Sequence, residues 1–202
     1  MKKIIRKGVV LMALLSSIIT SASKVSYETP IKDIDKTLIT LDNVKIGQKL
    51  LIKDINGLVI YEESIAESGS FKKEFDLATL PDGLYFIELN KDVEINVIPF
   101  TVNSYNAQFH KEKETTIFKP VVRLKDNFVF IAKLSLSQEP MEIKLYYDAS
   151  GSNSGIYELL HTEKIENTAT VHRVYKLDKY EKGNYKVIFK SEGRTFTEKV
   201  KL

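Results

Sequence analysis

Apolar and polar residues alternate one by one along most of this chain, rather than in threes and fours. Met141, Ile143, Leu145 and Tyr147 alternate with Glu142, Lys144 and Tyr146, the period of two that sends successive side chains to opposite faces of a strand. Near the end of the chain Phe196, Val200 and Leu202 share one face, and Thr195, Thr197, Lys199 and Lys201 the other. Segments 49–54 (KLLIKD) and 58–61 (LVIY) flank Asp54-Ile55-Asn56-Gly57. Asn-Gly between two apolar runs predicts a hairpin with positive φ at both turn positions. No longer window carries a helical period, and segment 31–36 offers one helical turn at most. The pattern predicts an all-β protein.

The opening breaks this pattern. Lys2, Lys3, Arg6 and Lys7 precede an apolar run over 8–19, followed by Ser21-Ala22-Ser23. A cationic head, a short apolar stretch and small residues at the exit are the order of a secretory signal peptide, cleaved after Ser23. The run is too short for the roughly 20 residues that span a bilayer. Removing residues 1–23 changes the charge: 30 Lys and Arg against 27 Asp and Glu become 26 against 27. The basic character belongs to the leader, which removes nucleic acid as a partner. There is no Cys, so disulfides, thiol chemistry and Cys-ligated metals are excluded, as is lipid attachment at a new N-terminal Cys.

Two strand-rich blocks follow, 24–103 and 116–202, on either side of a polar segment, 104–115, that contains Lys111-Glu112-Lys113-Glu114 and reads as a linker. The blocks repeat one another. FDLATLPDGLYFIEL (75–89) aligns without gaps on YKLDKYEKGNYKVIF (175–189), pairing Phe75 with Tyr175, Leu77 with Leu177, Gly83 with Gly183, Tyr85 with Tyr185 and Leu89 with Phe189. Upstream, Asp54–Gly57 matches the longer loop 148–155, and each is followed by Ile-Tyr-Glu, at 60–62 and 156–158. The repeat implies a turn after Pro81 in which Gly83 and Gly183 adopt φ values other residues avoid. Tyr85 and Tyr185 then enter a core. Some seven short strands per block predict two tandem Ig-like or fibronectin-like antiparallel β-sandwiches. Residues 24–109 carry 9 basic and 14 acidic residues, and 110–202 carry 17 and 13; opposite signs favour docking between the blocks or between molecules.

The first block resembles the C-terminal sorting domain of proteins exported by the type IX (Por) secretion system of Gram-negative bacteria. The residues that carry the resemblance are Leu50–Asp54, Asn56-Gly57, Val59-Ile60-Tyr61, Phe75-Asp76-Leu77, Leu80-Pro81, Gly83 and Tyr85-Phe86-Ile87. It covers 48–102 and, more loosely, 141–202, where Tyr180-Glu181-Lys182-Gly183 stands in place of the LPxG element. Neither block has the Pro-Asn-Pro element that usually opens the domain, and the better match is the internal copy. The resemblance implies an Ig-like sandwich, export to the periplasm, cell surface or medium, and a role in sorting.

Catalytic motifs are absent from the sequence. His110, His161 and His172 lack metal-ligand spacing, no Ser sits in G-x-S-x-G, and no Gly-rich loop cradles phosphate. No cofactor is expected. Loop 148–155 offers Asp148, Ser150 and Asn153, too few carboxylates for calcium but enough for a binding loop beside Tyr146, which falls on the polar side of its strand. The sequence therefore predicts an exported, non-catalytic binding, adhesion or structural module in the periplasm or at the cell surface, with a protein or a cell-surface polysaccharide as partner through sheet edges or loops. The alternatives are a secretion cargo whose C-terminal domain is the sorting signal, and a carbohydrate-binding module.

Overall fold

The computed structural model describes residues 25–28, 36–148, 156–178 and 182–202; the expected leader over 1–23, segment 31–35, and Ser150 and Asn153 lie outside them. The described residues are all-β, as the alternation predicts, and divide into two compact units, the first ending at Ile117 and the second starting at Phe118.

In the first unit, β1 (Val25–Glu28), β2 (Thr37–Val44) and β5 (Gly69–Phe75) form an antiparallel sheet in the order β1-β2-β5. The second sheet contains β3 (Lys49–Asp54), β4 (Val59–Ser64), β6 (Gly83–Asn90), β7 (Glu94–Asn103) and β8 (Asn106–Phe109), in the order β4-β3-β6-β7-β8. Ile39 and Leu41 from one sheet and Leu50, Ile52, Ile87, Leu89 and Phe100 from the other join a single buried cluster. Two sheets sharing one apolar layer make a sandwich.

The second unit repeats this plan. β10 (Val121–Lys125), β11 (Phe128–Leu134) and β14 (Thr170–Lys176) run in the order β10-β11-β14. β12 (Met141–Asp148), β13 (Glu158–Ile165), β15 (Asn184–Ser191) and β16 (Arg194–Lys201) form the order β13-β12-β15-β16. That is the order of β4-β3-β6-β7. Val129, Ile131, Ile143, Leu145, Val187 and Phe189 build its own cluster. In the sequence repeat, Phe75 and Tyr175 fall in β5 and β14, Tyr85 and Tyr185 and also Leu89 and Phe189 in β6 and β15, and Leu77 and Leu177 just past β5 and β14; all eight are buried.

Register corrects one part of the repeat. Ile52 lies between Tyr61 and Ile87, and Leu145 lies between His161 and Val187. The partner of Tyr61 is therefore His161, not Tyr157, because 156–157 precede β13 and extend the connection. Both edge strands are bulged at the same place: the ladder skips Ile60 in β4 and Leu160 in β13.

Segment 104–115 is not a linker. Asn106–Phe109 is strand β8, a hairpin partner of β7, and β9 (Thr115–Phe118) also pairs β7. Two non-glycine residues in left-handed backbone, Ser104 (φ 50°) and Tyr105 (φ 61°), make the connecting turn; side chains there conceal the usual Asn-Gly signal. Asp82 accepts a hydrogen bond from the Ser104 N–H at 3.0 Å. Pro99 fits inside β7 because its carbonyl faces His110, which donates to it at 2.9 Å just past the end of β8. The missing N–H thus falls on the side away from β6.

The turn at Asp54–Gly57 also differs from expectation. Only Gly57 (φ 82°) has positive φ. The Gly57 N–H donates to the Asp54 carbonyl at 3.0 Å and the Asp54 N–H to the Leu58 carbonyl at 3.1 Å, the three-residue loop closed by a glycine bulge. The Asp54 carboxylate fixes it by accepting from the N–H groups of Asn56 (2.9 Å) and Leu58 (2.8 Å).

Candidate functional site

Of the residues expected to form a binding loop at the end of β12, Asp148 and Tyr146 lie among the described residues. Asp148 is completely buried and Tyr147 nearly so, with the Tyr147 hydroxyl donating to the Lys182 carbonyl at 3.0 Å and its ring 4.8 Å from that of Tyr185. Asp148 therefore belongs to the end of the core. Tyr146, expected to stand in solvent, is half-buried. The Lys186 ammonium lies 5.1 Å from its ring centroid and 4.0 Å from that of Tyr157, within cation–π range of both. Among the described residues no group of His, Asp and Glu is placed to hold a metal.

The glycines and tyrosines of the repeat divide by role. The Tyr85 hydroxyl donates to the Pro81 carbonyl at 2.7 Å, the corner that ties a strand start to the preceding loop in Ig-like sandwiches. Pro81 serves through its carbonyl. A Cβ at Gly183 would stand 2.8 Å from the Tyr147 ring and 2.9 Å from the Asp148 carbonyl oxygen, so glycine is required there by close approach. Gly83 is a correction: its φ is ordinary, and a Cβ would meet only the Tyr85 ring at 3.6 Å.

The register exposes a polar cluster that sequence reading missed, built twice. In the first unit, Glu63 on β4 accepts hydrogen bonds from Lys73 and from the Tyr61 hydroxyl, and the Tyr61 ring meets Phe75 edge-on at 5.0 Å. In the second, Glu163 on β13 accepts from Arg173 Nε at 2.7 Å and from the Tyr175 hydroxyl at 2.8 Å. His161 packs on Tyr175 at 5.2 Å. Positions 61, 63, 73 and 75 recur at 161, 163, 173 and 175, with the phenol moved from one member to the other. Each cluster ties an edge strand of one sheet to an edge strand of the facing sheet. Hydrogen bonds from Lys73 and then Tyr61 hold the Glu63 carboxyl below its usual range. Burial pushes Glu163 up, but Arg173 and Tyr175 together outweigh it and hold that carboxyl low as well. Both clusters close the flank of their sandwich.

On the outer face of β6 and β7, side chains that alternate with the core residues floor a groove of about 440 Å³. Leu84, Phe86, Val97 and Pro99 make the floor, and His110 and Lys113 stand in the wall. His110 Nε2 lies 3.1 Å from the Thr101 hydroxyl. The segment read as a linker is thus the wall of a cleft.

Residues 27–103 match the family described as Secretion system C-terminal sorting domain. The matched stretch starts inside β1 and ends with β7, the two sheets of the first sandwich. A sorting domain of this kind implies a secreted or cell-surface protein. The curated proteins contain no match. Among solved structures, the BSP domain of a biofilm associated protein is 12% identical over 82% of this chain, at TM-score 0.28, and the match covers 27% of that chain's length. Native alpha-2-macroglobulin from Escherichia coli, domains NIE-MG1, is 12% identical over 88% of this chain and 97% of that one, at TM-score 0.28. The human OSCAR ligand-binding domain is 8% identical over 89% and 97%, at TM-score 0.26. Likenesses at this level carry no argument about function.

Proposed function

We propose that this chain is an exported, non-catalytic protein that acts by binding at the cell surface, and that its first sandwich is the element the secretion machinery recognises. The match of residues 27–103 to the sorting-domain family carries the reading. The polar groups fit it: Glu63 and Glu163 hold cations and phenols across the sandwich flanks. Binding would use the flanks and faces of the sheets. The edge strands β4 and β13 expose Val59, Ile60 and Leu159 beside their bulges, and the groove on β6 and β7 adds an apolar cleft.

Labelling of intact host cells tests the surface placement. A membrane-impermeant amine reagent is expected to modify exposed lysines such as Lys199 and Lys201 before lysis. Labelling that appears only after lysis would defeat the reading.

A further inference from the structure

The outward face of sheet β10-β11-β14 is apolar at its centre and basic at its margins. Val129, Ile131 and Tyr175 point into the core, which turns their neighbours outward. Register then sets two rows across the sheet. Phe128 lies between Lys125 and Lys176, and Phe130 lies between Arg123 and Val174. Phe130 and Val174 are 42% and 54% exposed, and the two Phe rings are 6.4 Å apart. No outward position of the three strands carries a carboxylate, and none of the three cations pairs with one among the described residues.

The first unit supplies an internal comparison. Ile39 pairs Lys73 as Ile131 pairs Arg173, so the place of Phe130 is held there by Leu38 and that of Val174 by Glu74. The Val174 position is thus acidic in the first unit, whereas the Phe130 position is apolar in both. Architecture alone does not demand the basic-apolar face.

We propose that this face binds a polyanionic polysaccharide. Long cationic side chains rise above the apolar floor, so a flat anionic surface would meet them first and leave Phe130 uncovered. A chain lying between the margins reaches both floor and cations. The backbone groups of the central strand β11 are used in ladders on both sides, leaving nothing to pair with the main chain of an extended peptide, whose unmet groups would be costly. A sugar chain offers apolar C–H faces to Phe130 and Val174, keeps its hydroxyls in water, and places its acid groups against Arg123, Lys125 and Lys176. This deepens the binding reading above and rests on it. The measurement on purified protein is independent of where the cell sends the chain, so export and glycan binding fail separately.

The test is binding of the chain, purified from its own host, to dextran sulfate and polygalacturonate, with neutral dextran, polyglutamate and phosphatidylglycerol vesicles as rivals. The expected result is salt-sensitive binding to the two acidic polysaccharides alone. Lys125→Gln with Lys176→Gln should weaken it about tenfold. Phe130→Ser, which keeps the charge, should weaken it about fivefold. Lys199→Gln with Lys201→Gln, the same charge removed from β16, should leave it unchanged. Equal losses from both lysine pairs, preference for polyglutamate or vesicles, or no binding to either acidic polysaccharide would each overturn the proposal. Unchanged melting of the Phe130→Ser chain keeps a folding defect from imitating the result.

Discussion

Two glycines at matching places in the repeat have different reasons to be there. Gly183 admits no Cβ because the Asp148 carbonyl oxygen is backbone and cannot swing away. Gly183→Ala should therefore cost about 2 kcal/mol or more in urea unfolding, whereas Gly83→Ala should stay within about 0.5 kcal/mol. Alignment of the repeat finds both glycines but cannot separate them, since the distinction lies in what packs opposite. Lys133 is similarly hidden from the sequence. It continues the inward positions Val129 and Ile131 of β11, its side chain is fully buried, and it meets Glu192 at 2.8 Å. Glu192 also accepts from the Ser137 hydroxyl at 3.1 Å. Lys133→Met strands a carboxylate and should lose about 3–5 kcal/mol, and adding Glu192→Gln should recover much of that loss. Equal stability of the single and double variants would contradict the pairing.

Among elements, the strands and the place of the Asp54–Gly57 hairpin were legible, and the turn between β7 and β8 was not. Period-two alternation locates β12 and β16 because each has one face on a core, and nothing in that signal depends on a partner. The β7–β8 hairpin escaped because Ser104 and Tyr105 hold left-handed backbone without Asn or Gly. Replacing Ser104-Tyr105 with Asn-Gly should stabilise the first unit by about 0.5–1 kcal/mol, read as a rise in its urea midpoint; a fall would mean the side chains support the turn. The duplicated Glu clusters escaped because their members sit on separate strands, joined only by register. Their pH signature follows from sign. Glu163 is held below its unfolded value, so its contribution is present above the usual carboxylate range and is lost as pH falls through the folded value. Glu163→Gln should therefore lower stability by about 1–2 kcal/mol at pH 7 and by less at pH 3. A penalty that does not shrink on acidification would count against the charge-assisted bonds to Arg173 and Tyr175.

At the scale of the whole molecule, composition and the expected leader pointed outward from the cell, and the repeat pointed to one plan used twice. The β1-β2-β5 and β4-β3-β6-β7 orders of the first unit return as β10-β11-β14 and β13-β12-β15-β16, which an offset of one hundred residues had partly disclosed. What binds the protein was not legible. The face around Phe130 is assembled from the β10–β11 hairpin and from β14, some forty residues further on, and the loop expected to bind begins at a buried Asp148. The two units have thus kept a scaffold while their outward chemistry diverged. Fractionation of host cells with and without a working type IX secretion system tests whether the first sandwich directs a binding protein out of the cell. The chain should reach the cell surface or medium in the first strain and accumulate in the periplasm in the second. The same distribution in both would contradict it.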